Sequence, residues 1–243
     1  MTDYSPLVLL SGGMDSSTLL AYSLVDPNDP QRVVTATALF VNYGQRHVRE
    51  RTSSQDIALH YGVEWMELDL TAFGRSVRSA LTSAPSDIPV PHGHYTAESM
   101  VATVVPNRNA TLISAAAGIA ASRGRTVVRT AVHAGDHAVY PDCRPEFVEA
   151  IDTATRLGCG VGVDAPFVNV SKADIAARGF ALGVPYDLTW SCYEGGQPGR
   201  PDQHCGKCGT CVERAEAFDL AGVVDPTDYA DPEFWRNEVA QHA

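Results

Sequence analysis

Five apolar runs punctuate the chain, and stretches of helical character separate them. Pro6-Leu7-Val8-Leu9-Leu10 predicts a buried strand. Ser11-Gly12-Gly13-Met14-Asp15-Ser16-Ser17-Thr18 then turns into a helix carrying Leu19-Leu20-Ala21-Tyr22. After a turn at Pro27-Asn28-Asp29-Pro30, the Val/Thr-rich run from Val33 to Val41 predicts a second strand. So short a strand–helix–strand unit implies a parallel pair. A helix ends near Tyr61, where Gly62 stops it. Residues 63–70 alternate apolar positions with Glu64, Glu67 and Asp69, a strand with a polar face or edge. The small-residue stretch from Ala110 to Arg123 predicts a tightly packed central helix. Thr126 to His133 predicts the fourth strand, Phe147 to Leu157 a helix, and Val161 to Val170 a fifth strand interrupted by Pro166. Ser171 with Asp174 forms a capping box for a helix that Gly183-Val184-Pro185 ends. A last helix carries Arg214 from Val212 to about Leu220, and the acidic tail offers Phe234 and Trp235 as docking points. No internal repeat or heptad is present. Strands alternating with helices make this an α/β chain.

The first break carries chemistry. Gly12 and Gly13 can take positive φ and leave room for an anion. Asp15, Ser16, Ser17 and Thr18 suit a helix start, whose free N–H groups and dipole attract phosphate. The competing reading is an ordinary strand–helix turn. No Gly-Lys-Ser/Thr follows, so the loop is not of the Walker type. It resembles the pyrophosphate loop of enzymes that split ATP between the α and β phosphates. Other strand ends share its sheet edge, where open parallel sheets bind ligands. One is Asn42-Tyr43-Gly44-Gln45-Arg46-His47. A second break is Val104-Val105-Pro106-Asn107-Arg108-Asn109, where Arg108 is a candidate clamp for phosphate or carboxylate. The run from Ala134 to Phe147 concentrates Asp136, Asp142, Cys143 and Arg144, and an aspartate there can accept from a guanine-like amidine edge. Cys143 also reads as a small buried hydrophobe. Residues 82–97 are Pro-, Ser- and His-rich, as lids, binding loops and disordered segments are. His92 and His94 within them are a weak metal pair.

Cysteine usage adds a second site. Cys192 is followed, after a Gly/Pro loop, by Cys205-Gly206-Lys207-Cys208-Gly209-Thr210-Cys211. Four thiolates are what a closed tetrahedral zinc site needs. The same set suits an iron–sulfur cluster or thiol redox chemistry, and His204 could replace one sulfur.

Charge narrows the partners. With 18 basic and 29 acidic residues, the net charge of −11 opposes gripping long nucleic acid through its backbone. No run reaches the roughly 18 apolar residues of a membrane span, and Met1-Thr2-Asp3-Tyr4 does not open a signal peptide, so a cytoplasmic protein without membrane partners is expected. Six cysteines in such a protein are metal ligands or free thiols rather than disulfides.

Taken together, Ser11 to Ser16, Tyr43 to His47, Val105 to Asn109, Tyr140 to Phe147 and the four cysteines resemble the 7-cyano-7-deazaguanine (preQ0) synthase family from Leu7 to about Phe218. That family usually has glycine where Asn107 stands and Ser-Gly where Ala138-Val139 stand. The resemblance implies a Rossmann-like parallel sheet with helices on both faces, of the adenine nucleotide alpha-hydrolase type. A small C-terminal zinc-binding subdomain is implied too, the boundary falling between 1–185 and 186–243. It implies a homodimer that uses ATP, Mg2+ and ammonia to turn 7-carboxy-7-deazaguanine into the nitrile. Asp15, Ser16, Arg108 and Arg144 are then the expected catalytic residues. Leu10, Ser11, Gly12, Gly13, Met14, Asp15, Ser16, Ser17 and Thr18 would hold ATP. Tyr43, Gln45, Arg46, His47, Arg108, Asn109, Asp136, Asp142 and Arg144 would hold the base. Cys192, Cys205, Cys208 and Cys211 would hold zinc. Two other readings are a sulfur-inserting tRNA-modifying enzyme with Cys143 or Cys159 as carrier, and a non-catalytic nucleotide-binding module with a zinc ribbon.

Overall fold

The computed structural model describes residues 5–26, 29–46, 48–82, 88–94 and 97–242. Its strands are β1 (Leu7–Leu9), β2 (Val25–Asp26), β3 (Asp29–Val33), β4 (Thr37–Asn42), β5 (Glu64–Asp69), β6 (Val127–Arg129) and β7 (Gly162–Asp164). The helices are α1 (Met14–Ser23), α2 (Val48–His60), α3 (Thr71–Ser76), α4 (Ala97–Met100), α5 (Arg108–Ser122), α6 (Pro145–Cys159), α7 (Lys172–Ala181), α8 (Gly209–Ala221) and α9 (Phe234–His242). Five strands form a parallel sheet in the order β5-β4-β1-β6-β7. The chain winds outward from β1 to β5, then returns to the other side of β1. The carboxyl end of β1 is therefore the switch point at which such sheets open a crevice.

Side-chain alternation along the strands divides the core. Val8, Leu10 and Ala38 pack with Leu19 and Leu20 of α1, Ile57 of α2 and Ile175 of α7. Leu7, Leu39 and Val41 pack on the opposite face with Ala116, Ala117 and Ala120 of α5. Those alanines are at most 1% exposed, so the small residues let α5 lie close to the sheet. Helices thus cover both faces, as expected. Among the described residues β5 pairs only with β4, and it is the polar edge strand that its Glu/Asp alternation predicts.

Three predicted strands change. The run from Val33 to Val41 is divided: Val33 ends β3, which pairs antiparallel with β2, and β4 begins at Thr37. Apolarity hides the break because the linking Val34 and Ala36 are buried too. β6 and β7 are three residues each, not eight and ten. Past Asp164, Ala165 and Phe167 accept turn hydrogen bonds from Val168 and Val170, so β6 has no continuing ladder partner. Phe167 is fully buried, which explains the apolar signal without a strand. At the C-terminal end, Phe218 of α8 packs with Met14, Ala176 and Tyr186. Arg214, wholly buried, donates to Thr189 Oγ1 (2.7 Å) and the Tyr186 carbonyl (3.1 Å) and pairs with Asp225 (3.3 Å). Of the tail residues, Phe234 docks under Lys207, whose Nζ lies 5.6 Å from its ring centre.

Candidate active site and metal centre

A cavity of about 240 Å3 opens at the carboxyl ends of β1, β4 and β6. One end is the loop after β1. Gly12 has φ +88, and a Cβ there would stand 2.6 Å from the Glu50 carbonyl oxygen, so α2 packs directly on it. Gly13 precedes α1 with extended backbone and no side-chain cap, leaving the first helical N–H groups free for an anion. Ser16 Oγ knits the loop: it donates to the Gly13 carbonyl (3.2 Å), accepts from the Ser11 amide (3.2 Å) and lies 3.0 Å from Ser11 Oγ. Leu10, Ser11, Gly13, Met14, Asp15 and Ser16 line the cavity. Gly12, Ser17 and Thr18 do not; Thr18 Oγ1 turns inward to the Met14 carbonyl (2.8 Å) and Tyr186 Oη (2.9 Å).

Beside the loop lies a network the sequence reading did not single out. Lys172 Nζ is 3.3 Å from Asp15 Oδ2 and 2.6 Å from Glu213 Oε2. His133 Nδ1 accepts from the Gly135 amide (3.1 Å), so its Nε2 faces Asp136 (3.6 Å) and Asp15 (3.8 Å). Burial works to lower the Lys172 pKa, but Asp15, Glu213 and Asp136 outweigh it, and the ammonium is held well above its ordinary range. One signal was available: Lys172 is the first residue of α7, where a cation opposes the helix dipole. Glu213 carried no comparable signal.

The other end of the cavity is built from Tyr43, Gln45, Glu50, Arg108, Asn109, Tyr140, Cys143 and Tyr193. Arg108 lies 5.8 Å from the Tyr43 ring centre. Burial pushes the Glu50 carboxyl up to about 7, against the pull of Arg108. Gln45 serves the strand end, accepting from the Tyr43 amide (2.9 Å). Burial, aided by Asp136, raises the Cys143 thiol, and Asn109 Nδ2 donates to its Sγ (3.2 Å).

Of the expected base ligands, Tyr43, Gln45, Arg108, Asn109 and Asp136 line this cavity. Arg46 lies instead in a neighbouring open crevice of about 950 Å3, which shares Tyr193 with the first cavity. Asp142 and Arg144 are brought to neither. Asp142 Oδ2 accepts from the Asn109 amide (2.9 Å) and so caps α5, because Asn107, in left-handed conformation at φ 57, gives no side-chain cap. That φ is one at which glycine costs least. Arg144 is exposed and donates to the His137 carbonyl (2.9 Å). His47 lies outside the described residues, as do residues 83–87 and 95–96 of the predicted loop.

The four cysteines converge. Cys192, Cys205, Cys208 and Cys211 are buried, with all four sulfurs within 4.8 Å of one another. A tetrahedron with zinc–sulfur bonds of about 2.3 Å has edges of about 3.8 Å. Cys205 and Cys211 Sγ lie 3.8 Å apart. Backbone amides of Glu194 and Cys205 point at Cys192 Sγ (both 3.4 Å), and those of Lys207 and Cys208 at Cys205 Sγ (3.3 and 3.2 Å). The other three thiols favour the thiolate of Cys192. Such a set fits a zinc-binding subdomain. His204 is not part of it: its Nε2 accepts from the Ser191 amide (3.1 Å), and its ring packs on Trp190. His92 instead pairs with Glu194 (2.7 Å), and His94 stands 4.0 Å from Glu216. The knuckle is also a wall of the cavity, since Trp190, Ser191 and Thr210 line it and the Trp190 amide donates to the Gly12 carbonyl (2.9 Å).

The family model for queuosine biosynthesis protein QueC matches residues 5–222. The chain belongs to the QueC family. A curated relative from Allorhizobium ampelinum, named 7-cyano-7-deazaguanine synthase, is 48% identical over 234 residues, covering 94% of each chain. Relatives of the same name from Rhizobium meliloti and Brucella anthropi are both 47% identical, over 94% and 96% of this chain and 93% and 97% of their own. Among solved structures, the U34-tRNA thiolase NcsA from Methanococcus maripaludis aligns with a TM-score of 0.48 at 12% identity, over 76% of this chain and 59% of that one. In this QueC-family chain no described helix is long and apolar enough to cross a membrane.

Proposed function

We propose that this chain makes 7-cyano-7-deazaguanine from 7-carboxy-7-deazaguanine, ammonia and two molecules of ATP, releasing two AMP and two diphosphate. One observation carries the reading beyond family membership: the anion-ready loop and a polar, aromatic compartment share one cavity. A carboxylate resists ammonia because oxide is a poor leaving group. Attack of a carboxylate oxygen on the α phosphorus expels diphosphate and leaves an acyl adenylate. Ammonia then adds at the acyl carbon and AMP departs, giving the amide. A second adenylation, on the amide oxygen, lets the nitrogen lose its protons as AMP leaves, and the nitrile forms.

The chain's part is chiefly electrostatic. The free amides at the start of α1 receive phosphate, Ser16 keeps the loop in shape, and Lys172 supplies a buried positive charge beside it. Asp15, whose Oδ1 is buried without a hydrogen-bond partner, fits a Mg2+ that would offset triphosphate charge. Arg108 offsets the repulsion between the substrate carboxylate and ATP. The four cysteines would hold a structural zinc, bracing the cavity wall that Trp190 shares. The buried, protonated Cys143 and the exposed Cys159 at the end of α6 are poorly suited to carry sulfur. The family resemblance supports a homodimer working in the cytoplasm.

Incubating the protein with ATP, ammonium and the deazapurine acid, with products read by mass spectrometry, tests the proposal. Nitrile, AMP and diphosphate are expected, with the 7-amide in mixtures stopped early. ADP and phosphate as products, or ATP bound without turnover, would overturn it.

A further inference from the structure

The base-binding end contains a carboxylate that neither the sequence motifs nor the loop chemistry assign. Among the described residues, four carboxylates line the cavity: Asp15, Glu50, Asp136 and Glu213. Three are engaged at the phosphate end. Lys172 holds Asp15 (3.3 Å) and Glu213 (2.6 Å), and Asp136 stands 3.6 Å from His133 Nε2. Glu50 lies at the other end, within the electrostatic reach of Arg108. Its position is set by the backbone, since the first turn of α2 packs against Gly12. Arg108 in turn is placed by Tyr43, whose Oη lies 3.5 Å from its Nη1.

We propose that Glu50 and Arg108 together read the pairing edge of a guanine-type base, Glu50 accepting from its ring N–H and 2-amino group while Arg108 donates to its oxo group. The assignment rests on the preceding reading that the second substrate is a 7-deazapurine acid. The chemistry is complementary in order. A guanine-type edge presents an acceptor beside two donors, and this cavity is lined by both a guanidinium and a carboxylate. Burial holds the Glu50 proton up to about 7, against the Arg108 charge and a hydrogen bond with Gln45. A ligand with two N–H groups brings donors that favour the ionised carboxylate. A base lacking the 2-amino group supplies only one, and a site built around a polar group rejects the analogue without it.

The test compares the 7-carboxy acid with its counterpart lacking the 2-amino group, both with ATP and ammonium. Wild type should prefer the amino form by about a hundredfold or more in kcat/KM. Glu50→Gln should raise KM for the amino form about tenfold or more and remove most of the preference, while KM for ATP stays within about twofold. Glu50→Asp, which keeps the charge, should recover part of the preference, and ATP binding by both variants reports that they are folded. If Glu50→Gln keeps the preference, or raises KM for ATP in place of the base, Glu50 does not read this edge. If wild type turns over neither acid, the proposed function falls and this assignment falls with it.

Discussion

The two ends of the cavity solve opposite electrostatic problems. In the proposed function the ligand would bring the charge to the loop end, where the protein offers backbone amides and Lys172, held by Asp15 and Glu213. At the other end the proposed base would bring N–H donors to Glu50, a carboxylate that burial has made reluctant to ionise. The first end requires glycine at Gly12, where any Cβ would meet α2. The second depends on which side chains stand there, because specificity for a polar edge needs particular donors and acceptors.

The largest expected effect removes the wall common to both ends. A structural zinc contributes on the order of 10 kcal/mol to folding in small metal sites. Cys205→Ser should therefore lose the metal, melt well below wild type and abolish turnover, whereas Cys159→Ser should do none of these. Metal analysis with thermal melts decides it, and a stable metal-free protein would break the link between the knuckle and Gly12. Next, Asp15→Ala or Lys172→Ala should cost about a hundredfold or more in kcat, as loss of a positioned electrostatic group does. Preference among bases should survive in both; if it collapsed, the two ends would not be separate.

A smaller effect follows from Glu50. Its folded pKa of about 7 exceeds the ordinary 4.5, so the folded protein holds this proton more tightly than the unfolded chain does. Ionisation therefore lowers stability as pH rises between those values, and a donor-bearing base offsets the loss. Base affinity should strengthen about tenfold from pH 6 to pH 8, and Glu50→Gln should flatten that rise. Calorimetric titration across this range checks the sign. The smallest effect concerns Asp142. As a cap for α5, Asp142→Ala should cost about 1 kcal/mol, a few degrees in melting temperature, and leave KM for the base unchanged. A large rise in that KM would return Asp142 to the base site.

What could be read from the chain was local. The loop of residues 11–18, the Ser171 capping box, the edge character of β5 and the four-cysteine set each depend on neighbours in sequence. Backbone geometry and short spacings constrain them before any tertiary contact forms. What the fold alone decided was long-range. Lys172 meets Asp15 and Glu213 from three separate helices. Glu50 reaches the cavity because α2 packs on Gly12, and Asp142, expected at the base, instead caps the start of α5. The run from Val161 to Val170 is apolar because Phe167 fills the core, though only three of its residues are strand. Composition reports that a side chain will be buried or charged; which partner it meets there depends on packing between segments far apart in the chain.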